Sequence, residues 1–188
     1  MKEKLTLRNL ILAVVATIGL VLFFVSFGAS ASLKGVAEDS YGVVKFSTVV
    51  WSSSAYELIS GSVHMGGVIP EAYRVASVPG IIGALLFILV SGGLIAVVFL
   101  VKDEKVRKIL MFVCGGLYLA AAILMFFVGE VAWKNFATMM GTTVEAAKSN
   151  NPGLKASSPY GIISGIFGII MAGGVIASNF IPDKKLVK

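Results

Sequence analysis

Four runs without a single charged residue organise this chain: Asn9 to Leu33, Val75 to Val101, Ile109 to Gly129 and Ala156 to Pro182, of 25, 27, 21 and 27 residues. A bilayer core of about 30 Å needs about 20 apolar residues in a helix that rises about 1.5 Å per residue, and all four runs reach that length. They predict membrane-spanning helices at about 9–29, 79–101, 108–129 and 159–181. The turn between the second and third is short. The loops at about 30–78 and 130–158 are long, so the chain reads as two hairpins forming one membrane domain over 1–188. The expected fold is an all-α, four-helix transmembrane bundle with a small extracytoplasmic cap.

The long loops carry patterns of their own. Tyr41 to Trp51 (YGVVKFSTVVW) is β-branched and aromatic, with Val44, Phe46, Thr48 and Val50 alternating onto one face. That predicts a short strand, with a small β-hairpin as the expected content of the cap. Ser54-Ala55-Tyr56-Glu57 has capping-box spacing and predicts a short helix ended by Gly61, while Pro70 suits the first position of a helix over 70–77. In the second loop, Trp133, Phe136, Ala137 and Met140 share a helical face that extends the third helix. Thr142-Thr143-Val144-Glu145 offers another capping box, and Asn150-Asn151-Pro152-Gly153 reads as a terminating turn.

Composition narrows the class further. The 188 residues are 57% hydrophobic and 14% charged, with a mean hydropathy of +0.92. Soluble domains average about 45–50% apolar and about 25% charged, which excludes an ordinary soluble enzyme, and the abundant apolar surface excludes disorder. The net charge of +6 would by itself suggest nucleic acid, but its placement argues otherwise. The first tail, the 102–108 turn and the last tail hold ten of the sixteen basic residues and four acidic ones, whereas the two long loops hold six of each. The whole excess lies on one side, and the positive-inside rule makes that side cytoplasmic, with both termini there. The expected environment is the plasma membrane lipid bilayer, with no nucleic-acid partner.

The start of the chain admits two readings. Lys2, Lys4 and Arg8, an apolar run and Ala29-Ser30-Ala31 spell either a retained first helix or a secretory signal with a small-residue cleavage site. The apolar stretch from Leu10 to Phe27 is 18 residues, longer than the usual core of about 7–15, and favours retention. The halves also echo each other. Positions 80–98 against 161–179 share eight identities in 19, including Gly80-Ile81-Ile82 with Gly161-Ile162-Ile163 and Gly92-Gly93 with Gly173-Gly174. A duplicated hairpin explains this; so does the common composition of glycine-rich membrane helices.

Small residues mark candidate packing faces. Gly161, Gly165, Gly168 and Ala172 line one side of the fourth helix; Gly80 with Ala84, and Gly92 with Ala96, do so on the second. Small side chains let backbones approach where lipid supplies no hydrophobic drive, either within the bundle or between copies. Trp51, Tyr73, Trp133 and Tyr160 fall near the outer boundary, as an aromatic belt or, less simply, a carbohydrate platform.

Chemistry is sparse. The four charge-free runs hold no His either, which counts against a proton relay or a charge-lined ion path. Thr17, Ser26, Ser91, Ser164 and Ser178 could line a polar path, but hydroxyls bonded back to their own helix explain them more simply. His64 is the only histidine; with Glu57 and Glu71 it makes the one catalytic or metal-binding candidate, and its spacing is that of an ordinary loop residue. Cys114 is the only cysteine, so no intramolecular disulfide forms. No phosphate loop, nucleophile elbow or zinc-protease pattern occurs, and no cofactor is indicated. The layout resembles that of claudin-type and tetraspan proteins. Their outside-loop cysteine pairs have no counterpart here, so the likeness is architectural and carries no residue role. The expected function is a non-enzymatic multi-pass protein acting through protein–protein contacts or self-association. A small transport component is the alternative, and an envelope enzyme the least supported.

Overall fold

The computed structural model describes residues 6–27, 30–35, 48–54 and 78–181. In chain order these form α1 (Leu7–Phe27), β1 (Ser30–Gly35), β2 (Thr48–Ser54), α2 (Val78–Leu100), α3 (Glu104–Phe126), a 3-10 turn (Phe127–Glu130), α4 (Val131–Met139), α5 (Val144–Asn150), β3 (Leu154–Ser157) and α6 (Pro159–Ser178). The protein has an all-α membrane fold: α1, α2, α3 with its extension, and α6 are long and apolar enough to cross a membrane. The chain divides into two compact units, one of Met1–Val25, Ile82–Leu124 and Ser164–Lys188, the other of Ser26–Ile81 and Met125–Ile163.

The four long helices stand within a few residues of their expected positions, and local chemistry sets their ends. Thr6 accepts from the Asn9 amide at 3.2 Å and opens α1. The expectation that the third helix starts near 108 is corrected to Glu104, because Asp103 accepts from the amides of Lys105 and Val106 at 2.8 and 3.2 Å. Such a cap satisfies amides that the helix itself leaves open, so the charged turn becomes helical. Pro159 fills the first position of α6, where its missing N–H is no loss, and Ser158 before it accepts from the Gly161 amide at 3.3 Å. At the far end α6 stops at Ser178 instead of 181; the chain tightens there, with Asn179, Phe180 and Ile181 each bonding three residues back.

In the first unit each helix keeps one side in and the other out. Leu12, Val15 and Ala16 of α1 are buried, while Leu10, Val14 and Val21 are exposed. The same division puts Phe87 and Leu94 of α2 inside and Leu85 and Leu89 outside. Exposed leucines would be unfavourable in water; against lipid tails they are in their own solvent.

The second unit holds an antiparallel sheet of order β2-β1-β3. β1 pairs with β2 from Ser30↔Ser54 to Gly35↔Thr48, with a register shift between Leu33 and Lys34, and with β3 from Ser32↔Ser157 to Gly35↔Leu154. The described part of the strand expected over 41–51, residues 48–51, lies in β2, which runs on to Ser54; 41–47 lie outside the described residues. Ser54, read as a helix cap, closes β2. The helices expected after it and over 70–77 lie outside the described residues. The helix of the second loop is capped one residue later than expected, by Thr143, whose hydroxyl accepts from Ala146 at 3.2 Å. Gly141 explains the shift: at φ +62 it closes α4 in a left-handed turn, with Thr142 bonded to Ala137, so Thr142 is committed to the preceding helix.

Candidate functional site

Polar side chains in a helical membrane protein are where chemistry concentrates, and the first unit has two groups of them. The deeper one begins at Ser91 in α2. Its hydroxyl lies 2.6 Å from the Phe87 carbonyl one turn back and 2.8 Å from the Tyr118 hydroxyl of α3. Ser91 has one proton; when it donates to the carbonyl, Tyr118 donates to Ser91. Both residues are fully buried, and the Phe87 and Tyr118 rings lie 6.2 Å apart. α1 closes over this pair because residue 19 is glycine. A Cβ there would lie against the Ser91 hydroxyl, 2.8 Å from the Tyr118 hydroxyl and 2.9 Å from the Met171 Cε of α6. Side chains from three helices therefore meet the fourth around one missing methyl.

The second group lies at the charged ends of α1 and α3. Arg8 is 2% exposed, and its two terminal nitrogens reach the two Glu104 oxygens at 2.7 and 3.1 Å. Arg107 donates to the Asn9 side chain in the opposite sense, from α3 to α1. Glu104 is 50% exposed, with Lys108 3.9 Å away one turn on. The bidentate geometry makes this an orienting clamp, since a planar fork meets a planar carboxylate in only one arrangement.

In the second unit, Leu33 of β1 is buried, as are Val128, Ala132 and Phe136. Trp133 and Phe136 meet edge to face at 6.2 Å, and Lys148 lies 5.9 Å above the Trp133 ring while bonding Glu130 at 2.6 Å. Asn135 is fully buried, and among the described residues neither its amide nitrogen nor its oxygen has a hydrogen-bond partner.

The residues singled out from sequence fall into clear classes. Gly161, Gly165, Gly168 and Ala172 are buried, as are Gly80 and Ala84. Gly92 and Ala96 are exposed, and a Cβ on Gly92 would meet nothing within 4 Å among the described residues. The helix turns Ser91 and Leu94 inward, which carries their neighbours to the opposite side. Tyr160 is 53% exposed, whereas Trp133 is 5% exposed and belongs to the core of the second unit. Trp51 lies in β2, and only its backbone is described; Tyr73, Glu57, His64 and Glu71 lie outside the described residues.

Among the five serine and threonine hydroxyls singled out from sequence, Thr17 bonds the Ala13 carbonyl, Ser91 that of Phe87 and Ser178 that of Val175, whereas Ser26 and Ser164 are buried without partners among the described residues. Among the described residues, no three His, Cys, Asp or Glu side chains come together to hold a metal. Sequence reasoning missed the Tyr118 partner of Ser91, the Arg8–Glu104 clamp and the orphaned Asn135. Only the tyrosine left a trace, as a polar tip inside an otherwise apolar span. Comparison with protein-family models and with curated proteins finds no match to this chain.

Proposed function

We propose that this protein is a non-enzymatic, multi-pass protein of the cell membrane, with both termini cytoplasmic, that acts through protein–protein contacts as an accessory or scaffold subunit. One observation carries the reading. The hydroxyls of Ser91 and Tyr118 are turned inward onto each other, while Gly92, Gly93 and Ala96 on the same helix face outward with no side chain covering the glycines. Flat, small-residue surface of that kind lets a partner helix approach its backbone. The positive excess at the termini and the 102–108 turn supports the orientation.

Isolation of the native protein in mild detergent after cross-linking, with identification of whatever accompanies it, tests this. A stoichiometric partner, or a discrete complex of copies, is expected; a lone monomer would count against it. A small transport component is the second reading, supported by the buried and unpartnered Ser164 hydroxyl in the first unit. It predicts solute or ion flux in vesicles of the purified protein, and tight vesicles would remove it.

A further inference from the structure

We infer that the hairpins α1–α2 and α3–α6 are two copies of one unit, paired about a pseudo-two-fold axis, and that Phe87, Gly168, Ser91 and Tyr118 specify the pairing of unlike copies. Three observations converge. The sequence match of 80–98 with 161–179 sets an offset of 81 residues. Burial agrees in phase with that offset: in α2 positions 80, 83, 84, 87, 90, 91, 94 and 97 are buried, and each has a buried counterpart 81 residues later in α6. Two helices of equal periodicity could match in any rotational phase, so agreement in this one phase is informative. In the companion helices, Arg8, Leu12, Val15 and Gly19 are buried, as are Met111, Gly115, Tyr118 and Ala122 at an offset of 103; Ala16, buried against an exposed Leu119, departs from the pattern.

The third observation is a contact between mates. Residues near a two-fold axis meet their own equivalents. Phe87 and Gly168 are equivalents at the offset of 81, and a Cβ on Gly168 would lie 3.1 Å from the Phe87 Cζ. One copy supplies the ring and the other the space. Pairing a hairpin with its own kind would set two rings against each other or leave two glycines facing a hole. The polar pair is asymmetric in the same way. Ser91 and Tyr118 share a hydrogen bond, whereas their equivalents Ala172 and Val15 have none to share. A single buried polar contact of this kind discriminates between alternative pairings.

The experiment exchanges the mates within the full-length protein. Phe87→Gly and Gly168→Phe are each expected to lower the unfolding temperature in detergent by many degrees, or to abolish accumulation. The double exchange should recover more than half of what either loses. A control, Phe87→Gly with Gly165→Phe, places the ring at a buried position that is not the mate of 87 and should recover nothing. An exchanged protein no better than the single variants, or a control that recovers equally, would overturn the inference. A second variant separates size compensation from true equivalence by interchanging segments 80–98 and 161–179 in the full chain. It is expected to accumulate and elute like the parent, and the same interchange displaced by two residues is not. Equal behaviour of the two also overturns the inference.

Discussion

Two buried polar sites, one in each unit, treat their polarity in opposite ways. In the first, Ser91 and Tyr118 satisfy one another in full burial, and the helices close over them through Gly19. In the second, Asn135 is equally buried and satisfies nothing. A paired group costs little beyond its ordering, whereas an orphaned one keeps the whole desolvation penalty. The difference teaches that burial alone says nothing about stability; the sign depends on the partner. It also separates two kinds of core, one built on close backbone approach among long helices and one on aromatic rings beside a small sheet.

The sharpest break in that contrast is at Gly19. Gly19→Leu drives a side chain into Ser91, Tyr118 and Met171. Overpacking of this kind costs about 3 kcal/mol or more, and the expected outcome is loss of the folded monodisperse protein by size exclusion. Native-like elution and unfolding temperature would show that α1 does not close the core as described.

The next effect is at the charged end. Glu104→Ala removes the carboxylate that both terminal nitrogens of the buried Arg8 reach. A fully buried pair would lose roughly 3–5 kcal/mol, but Glu104 is half exposed and solvent screening brings the expected loss to about 1–2 kcal/mol. Thermal unfolding at two ionic strengths checks it: the parent should weaken with salt more than the variant does. The outward pair Lys148–Glu130 is the natural reference, since both members are largely exposed and the expected loss for Glu130→Ala is below about 1 kcal/mol.

The contrast between the two units is tested by substitutions of opposite sign. Asn135→Leu removes an unsatisfied amide at modest change in volume and is expected to raise stability by about 1 kcal/mol. A loss of stability instead would mean that the amide holds a water or a ligand. Smallest of all is the coupling between Ser91→Ala and Tyr118→Phe in a double-mutant cycle, expected near about 0.6 kcal/mol, the average for hydrogen bonds between membrane helices. A cycle that closes to zero would mean the two hydroxyls ignore each other.

Much of this was legible in the chain alone. The spans could be read because a run of apolar residues long enough to cross a bilayer is a local property, and the bilayer forces helix upon it. Asn150 and Asn151 marked a helix end for the same reason: their effect is felt within a turn. β1 was not legible. Ser30–Gly35 continues an apolar run and has no alternation of its own; it becomes a strand because β2 on one side and β3, more than a hundred residues later, on the other supply hydrogen bonds. Trp133 looked like a belt residue because only its distance along the chain from the span was visible. Its burial depends on Phe136 and on Lys148, which α5 brings back over the ring.

The sequence by itself determined that this is a membrane protein with four spanning helices, which end of them carries the positive excess, and which faces hold small residues. All of these follow from composition and short-range periodicity, where each residue acts almost independently of distant ones. Only the tertiary structure decided which small residues are packed and which stand open, that Ser91 meets Tyr118, that Arg8 is sheathed against Glu104, and that Phe87 rests on Gly168. Each of these depends on the rotational phase of one helix against another. Phase is set by the simultaneous fit of many side chains, and no single stretch of sequence contains it.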